Sequence, residues 1–285
     1  MSCSLADIIP EDWALWSKTK PQCLKPLLGG LTNKSYLISA SDGGMVLRLN
    51  SAISEALNLD RATEAEVLAL AHRAELCAPL VHYDANHQYV VSHFVAGQHW
   101  QANEAGLVSL AAMLRRIHAL PPVASHLDVH KKVASYWRAI DSKAEFTPEL
   151  RALAEQVNSH IERATALSDG VYLCHNDLLL ENLIVADDGQ LYAIDWEYAA
   201  MGDAFYELAV VIDGHGLNEW QQQLLMTEYL ARPVTDTDWQ RLRHWRVIYR
   251  YLTVLWYAVQ WSSGRMANAE TAHDIVEQIH NIEAW

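Results

Sequence analysis

The chain has 285 residues, a formal net charge of −14, 51% hydrophobic residues and 4 cysteines. That length holds one large domain or two lobes with a core each, and the acidity argues against a nucleic-acid partner and against an acidic membrane surface. No run of about twenty apolar residues occurs, and no basic stretch precedes an apolar one at the N-terminus, so no membrane span and no signal peptide are expected. The scattered Cys3, Cys23, Cys77 and Cys174 lack zinc spacing and read as reduced thiols of a cytoplasmic protein.

In chain order, residues 1–22 read as a short amphipathic lead-in with a helix from Pro10 to Trp16. Leu24 to Leu28 is expected as a first strand, with Pro26 marking it as an edge. Gly29-Gly30-Leu31-Thr32-Asn33-Lys34-Ser35 is a small polar turn, Tyr36 to Ser39 a second strand, and Asp42-Gly43-Gly44 a turn into a third, Met45 to Leu49. Together they predict a small antiparallel sheet. The first turn is short of a full G-x-G-x-x-G, yet its backbone N–H groups suit an anion. Arg48 sits inside an apolar strand, so it faces water or has a partner. Asp60 to Glu75 reads as a helix with Glu64, Val67, Leu68 and Ala71 at helical spacing, and Leu80 to Val95 as a hairpin turning at Asp84–His87. Ala96-Gly97 breaks the pattern and divides residues 1–96 from 97–285. Beyond it the chain turns helical: Ala105 to Leu120, stopped by Pro121-Pro122, then Val133 to Ile140 and Pro148 to Ala166. Ala204 to Ile212, Trp220 to Leu230, Asp236 to Ser262 and Glu270 to Ile282 follow. His126 and His130 have the spacing of a zinc pair but lie in a stretch read as loop and lack the usual Glu, so they are expected to be surface histidines.

The stretch Val171 to Tyr198, VYLCHNDLLLENLIVADDGQLYAIDWEY, organises the rest. An apolar run ends in His175-Asn176-Asp177, and Asn182 follows five residues after Asp177. Leu183-Ile184-Val185 leads to the tight turn Asp187-Asp188-Gly189, and the returning strand, Leu191 to Ile194, delivers Asp195 at its end with Glu197 two residues on. Asp177 is placed to accept a proton from an attacking hydroxyl. Asn182 and Asp195 offer hard oxygen ligands suited to Mg²⁺ carrying substrate phosphates. Phosphoryl transfer needs that set. The protein-kinase pattern shares the Asp-x-x-x-x-Asn spacing and the later acidic residue, but here the triplet is His-Asn-Asp rather than His-Arg-Asp, and Asp195 precedes Trp-Glu rather than Phe-Gly.

His-Asn-Asp-x-x-x-x-Asn with Ile-Asp-Trp-Glu-Tyr resembles the aminoglycoside phosphotransferase and choline kinase superfamily. The continuation Ala199-Ala200-Met201-Gly202-Asp203 and Glu207-Leu208-Ala209 is most similar to its thiamine kinase-like and choline kinase-like branches. The resemblance covers roughly Leu24 to the end and is strongest over Val171 to Val210. It implies an α+β, bilobal protein-kinase-like fold: a small antiparallel β N-lobe binding nucleotide and a larger, mainly helical C-lobe for catalysis and substrate. It implies ATP and Mg²⁺, with Asp177 positioning the hydroxyl, His175 bracing its loop, and Asn182 and Asp195 on the metal. Arg48 would grip phosphates, paired with Glu64 or, on the other side of the same helix, Glu66. Asn33 lies in the loop expected over the nucleotide. Glu207 would brace the catalytic loop. Glu197 would contact a second metal or the substrate, and Glu197 and Asp203 would add negative field at the site.

Trp245, Tyr249, Leu252 and Trp256 fall on one helical stripe. Such stripes are usually core; the functional reading is a cage for a cationic alcohol, with Trp245, Tyr249 and Trp256 as its walls. The expected activity is transfer of the γ-phosphoryl of ATP to a hydroxyl of a small, thiamine- or choline-like alcohol. The alternatives are an aminoglycoside, sugar or homoserine-type kinase of the same fold, and a nucleotide-binding pseudokinase.

Overall fold

The computed structural model describes residues 8–27, 32–41, 43–51 and 59–283. In the N-lobe, β1 (Gln22–Leu27), β2 (Lys34–Ala40) and β3 (Gly43–Leu49) form an antiparallel meander, followed by helix α1 (Arg61–Arg73), β4 (Leu80–Tyr83) and β5 (Tyr89–His93). The strand order is β1-β2-β3-β5-β4. Pro26 therefore sits on an edge strand, where its missing N–H costs no ladder bond. Alternation along β2, β3 and β5 puts Ile38, Met45, Leu47, Tyr89 and Val91 into a small core with Trp16. Pro10 to Trp16, expected as a helix, forms only a 3-10 turn at Trp13–Leu15, capped at neither end by a side chain. The side chain of Asp60 accepts from the N–H groups of Ala62 and Thr63 and so fixes the start of α1.

A short strand, β6 (Gly97–His99), follows. Its first residue is glycine because β6 runs so close to the strand it pairs with that a Cβ on Gly97 would fall against the Val185 carbonyl. Helices α2 (Glu104–His118), α3 (Val129–Ala139) and α4 (Thr147–Ala166) follow. Then come β7 (Tyr172–Cys174), β8 (Leu183–Ala186), β9 (Leu191–Ala193) and β10 (Ala200–Gly202). Strand β8 pairs with β6 and β9, and β7 pairs antiparallel with β10, a strand the sequence did not announce. Helices α5 (Ala204–Gly214), α6 (Glu219–Leu230), α7 (Asp236–Ser262) and α8 (Ala269–Glu283) close the lobe. Helix α3 starts four residues before its expected start because Asp128 caps it, so His130 lies in its first turn while His126 pairs its backbone with Met201. The large core gathers around α5, whose Ala204–Ile212 stretch is buried throughout, so α5 runs under the polar loop after β7.

Candidate active site

Strand β7 ends in a loop that turns through Asn176 in the left-handed region, φ 67°. A second left-handed residue, Asp195 at φ 60°, stands where the chain leaves β9. Asn and Asp tolerate this region better than other side chains, and two such residues side by side mark backbone held by its surroundings. Both loops are braced from beneath. Fully buried Glu207 on α5 accepts from the backbone N–H of His175 at 2.6 Å and of Asn176 at 2.8 Å, and from His118 Nε2 at 2.6 Å. Burial works against its charge, but these donors hold the Glu207 carboxyl below its ordinary range. His175 donates from Nε2 to the Ile194 carbonyl, 3.0 Å away, tying one loop to the other, and its ring packs on Trp196 at 4.5 Å between centroids. Burial keeps His175 below the usual histidine pKa.

Asp177 emerges from this frame partly exposed to the cleft. Asn182 donates from Nδ2 to the Asp177 carboxylate at 2.9 Å and to its carbonyl at 2.8 Å, which turns the amide oxygen of Asn182 the other way. Burial, then the charges of Asp195 and Glu197, push the Asp177 carboxyl well above the usual carboxylate range; Asn182 and Lys132 act against the rise. Burial and Asp195 likewise raise buried Glu197, to about 7, against Arg48 and Arg61. Three carboxylates thus converge in a partly dry cleft, and the donor set of Asp195 and Asn182, with Glu197 beside them, is all hard oxygen, which fits Mg²⁺.

From the N-lobe, Arg48 reaches down from β3. It pairs with Glu64 of α1 and with Asp195 at 2.6 Å. Glu64 is buried and Glu66 is exposed, so α1 turns Glu64 toward the arginine. The Nε of Arg48 is buried with no hydrogen-bond partner among the described residues, a donor left for an anion. Asn33 differs from expectation. Its amide donates to Glu197 at 2.7 Å and its oxygen accepts from Arg61 Nη2 at 3.1 Å and from the Ser51 N–H at 3.2 Å, so the side chain is spent on the acidic pair rather than aimed at a nucleotide. Of the loop expected to cover phosphates, Gly29, Gly30 and Leu31 lie outside the described residues.

Two further expectations are corrected. Asp203 caps α5 by accepting from the Phe205 N–H at 2.8 Å and pairs with buried Arg241 at 2.7 Å, so its partners lie inside the lobe rather than at the site. Trp245 is 6% exposed and packs edge-on against Tyr206 at 5.7 Å, which makes it core rather than cage. Tyr249 is partly buried against the same Tyr206 ring, at 6.3 Å. Trp256 is partly exposed and donates from Nε1 to the Tyr198 hydroxyl at 3.1 Å.

Two residues escaped the sequence reading. Arg61, in the first turn of α1, bridges Glu64 at 2.8 Å and Glu197 at 2.9 Å across the lobes. Lys132 of α3 is 8% exposed, with Nζ 4.7 Å from the centre of the Tyr198 ring and 5.4 Å from that of Tyr136. It lines a cavity of about 400 Å³ together with Asp60, His126, Asp128, Glu197 and Tyr198. Among the described residues, His118, Cys174 and Glu207 also lie close enough to hold a metal. They are buried beneath the loop, with His118 spent on Glu207 and Tyr229.

The profile of the phosphotransferase enzyme family matches residues 24–245. Protein LicA of Haemophilus influenzae is 26% identical over 266 residues, 87% of this chain and 75% of the relative. Thiamine kinase of Salmonella heidelberg is 29% identical over 154 residues, 53% of each chain. Among solved structures, choline kinase LicA from Streptococcus pneumoniae has a TM-score of 0.82 at 19% identity, covering 98% of this chain and 99% of that one. The antiparallel N-lobe sheet and helical C-lobe are those of this bilobal kinase-like fold.

Proposed function

The chain belongs to the phosphotransferase enzyme family, and we propose that it is an ATP-dependent small-molecule kinase whose acceptor is the hydroxyl of a small, cationic alcohol of the thiamine or choline kind. The observation that carries this reading is the convergence of Asp177, Asn182, Asp195 and Glu197, from two braced loops, beneath Arg48 and Arg61 of the opposite lobe. A phosphoryl group with three charged oxygens needs that arrangement: an acid to orient the nucleophile and positive charge around the group in flight.

In this mechanism Asp177 accepts a hydrogen bond from the acceptor hydroxyl and takes its proton as the oxygen attacks. Asn182 fixes the rotamer of Asp177 through its Nδ2. Asp195, with Asn182 through its amide oxygen, would hold Mg²⁺, with Glu197 beside them. Bound there, Mg²⁺ neutralises charge on the ATP phosphates and offsets the Asp195 and Glu197 charges. Arg48 keeps Glu64 as a partner and presents Nε to a phosphate oxygen. Residues up to about Ala96 bind nucleotide and the rest carries catalysis and acceptor. Tyr198, which lines the cavity beside acidic Glu197 and is held by Trp256, favours a cationic acceptor.

The test is ADP release from Mg²⁺-ATP with choline, thiamine, ethanolamine and an aminoglycoside, for wild type and Asp177→Asn. Turnover with a cationic alcohol, reduced about 10²–10⁴-fold in the mutant and abolished by a chelator, is the expected result. ATP binding with no turnover on any acceptor would overturn the reading in favour of a pseudokinase, and turnover on the aminoglycoside alone would overturn the acceptor class.

A further inference from the structure

Lys132 is a buried ammonium inside the site proposed above, and it stands where that site is best built for a cation. Its Nζ lies over two aromatic rings, Tyr198 at 4.7 Å and Tyr136 at 5.4 Å, a distance range in which the ring faces attract positive charge. The carboxylates of Asp177 and Glu197 act on it from the two loops across the cleft. The Tyr198 ring is held in place, since its hydroxyl accepts from Trp256 Nε1 at 3.1 Å. Lys132 and Tyr198 both line the cavity of about 400 Å³ that opens beside Glu197. An alcohol that brings its hydroxyl to Asp177 and carries a cationic head a few bonds away meets the same rings and the same carboxylates.

We infer that Lys132 is a resident cation and an acceptor-specificity residue: its ammonium occupies the place over Tyr198 that the acceptor's cationic head takes in the productive complex, so a cationic acceptor binds only by displacing it. The inference rests on the kinase reading for its acceptor, but the cation site is testable without turnover. Displacement is feasible on physical grounds. The lysine stem has four rotatable carbons, the cavity it lines is open, and Asp60 and Asp128 offer carboxylates along its wall. Burial works against the ammonium and lowers its pKa to about 8, while Asp177 and Glu197 act against the fall. A neutral acceptor of the same shape must also move the side chain, but it meets no repulsion from the ammonium charge that stays nearby, so removing that charge helps a cationic acceptor more than a neutral one.

Two measurements on Lys132→Met test this. The first is binding of tetramethylammonium by calorimetry, which needs no phosphoryl transfer. Affinity is expected to rise about tenfold in the variant, equivalent to about 1.4 kcal/mol. The second is the ratio of KM for 3,3-dimethylbutan-1-ol, the uncharged isostere, to KM for choline, which is expected to rise by a similar factor. Unchanged or weaker tetramethylammonium binding, or an unchanged or lower ratio, overturns the inference. Tighter tetramethylammonium binding with no turnover on any alcohol would support the resident cation while the kinase reading fails. Turnover with no gain in the variant would do the reverse. Lys132→Gln, of similar length and uncharged, replaces Met if the latter lowers the melting temperature.

Discussion

Glu207→Gln probes how the loop carrying Asp177 is held. In the native protein the Glu207 carboxylate accepts from two backbone N–H groups, at 2.6 Å and 2.8 Å, and from His118 Nε2 at 2.6 Å, with 0% of the residue exposed. Hydrogen bonds to a charged acceptor contribute about 1.5–3 kcal/mol each and neutral ones about 1. Glutamine keeps Oε1 under His175 and Asn176 but makes those two bonds neutral, a loss of about 1–4 kcal/mol. Its NH₂ also faces His118 Nε2, so His118 must move its proton to Nδ1 and donate to Tyr229, from which that nitrogen accepts when Nε2 carries the proton. A total near 3 kcal/mol follows, a large part of the about 5–15 kcal/mol that a domain holds. Alanine would leave three buried donors unpaired, at about 1–3 kcal/mol each, and brings the protein close to unfolding. The assay is the urea midpoint with kcat measured beside it. Both should fall in Glu207→Gln, with KM for ATP nearly constant, because the loop rather than the nucleotide contacts loses its support. A midpoint shift worth less than about 0.5 kcal/mol with native kcat would refute the reasoning.

Arg61→Met leaves buried Glu197 and Glu64 short of a partner and should cost about 3 kcal/mol in urea denaturation, while Arg61→Lys should cost less. Gly97→Ala drives a methyl against the Val185 carbonyl and should lose about 1–3 kcal/mol by thermal melting, despite an ordinary backbone conformation. His160 and His244 face each other through Nδ1 atoms 3.1 Å apart, and burial depresses both below the usual 6.5. Because the unfolded chain binds protons there first, stability should decline as pH falls below about 6.5, and His244→Gln should flatten that slope in pH-dependent melts.

Local signals made the hairpin of the candidate site readable. An apolar run, an Asp-Asp-Gly turn and a returning strand lie within one short stretch, so Asp177, Asn182 and Asp195 were brought together by geometry that the spacing already carried. Glu64 could be preferred but not separated from Glu66 until α1 acquired an orientation. Arg61 and Lys132 were invisible for a different reason. A charge on an amphipathic helix reads as a solvated face, and nothing within α1 or α3 says that the partners, Glu197 and the Tyr198 ring, arrive from far along the chain. The aromatic stripe of α7 left core and cage open. Period alone does not tell which end of a long helix lines a cleft, and Trp245 faces Tyr206 in the core while Trp256 reaches Tyr198. Strand β10 is too short to carry a period at all, and its partner β7 lies far back along the chain.

The charges across the cleft are not equivalent, and their burial ranks them. The Arg61–Glu197 pair has side chains 9% and 2% exposed, whereas Asp195, paired with Arg48, is 26% exposed. Separating a buried pair strands two desolvated charges; separating a half-open one returns a carboxylate to water at little cost. Any widening between the lobes therefore breaks Arg48–Asp195 before Arg61–Glu197. Arg48 can release Asp195 without being stranded, because it keeps Glu64, and Glu64 is shared with Arg61. Asp195 is thus the one acid of the pair that an incoming cation can claim while every buried charge around it remains matched. That asymmetry separates the two acids that end the hairpin: Asp195 is free to exchange partners, and Glu197 is held by Arg61 and Asn33 as part of the frame.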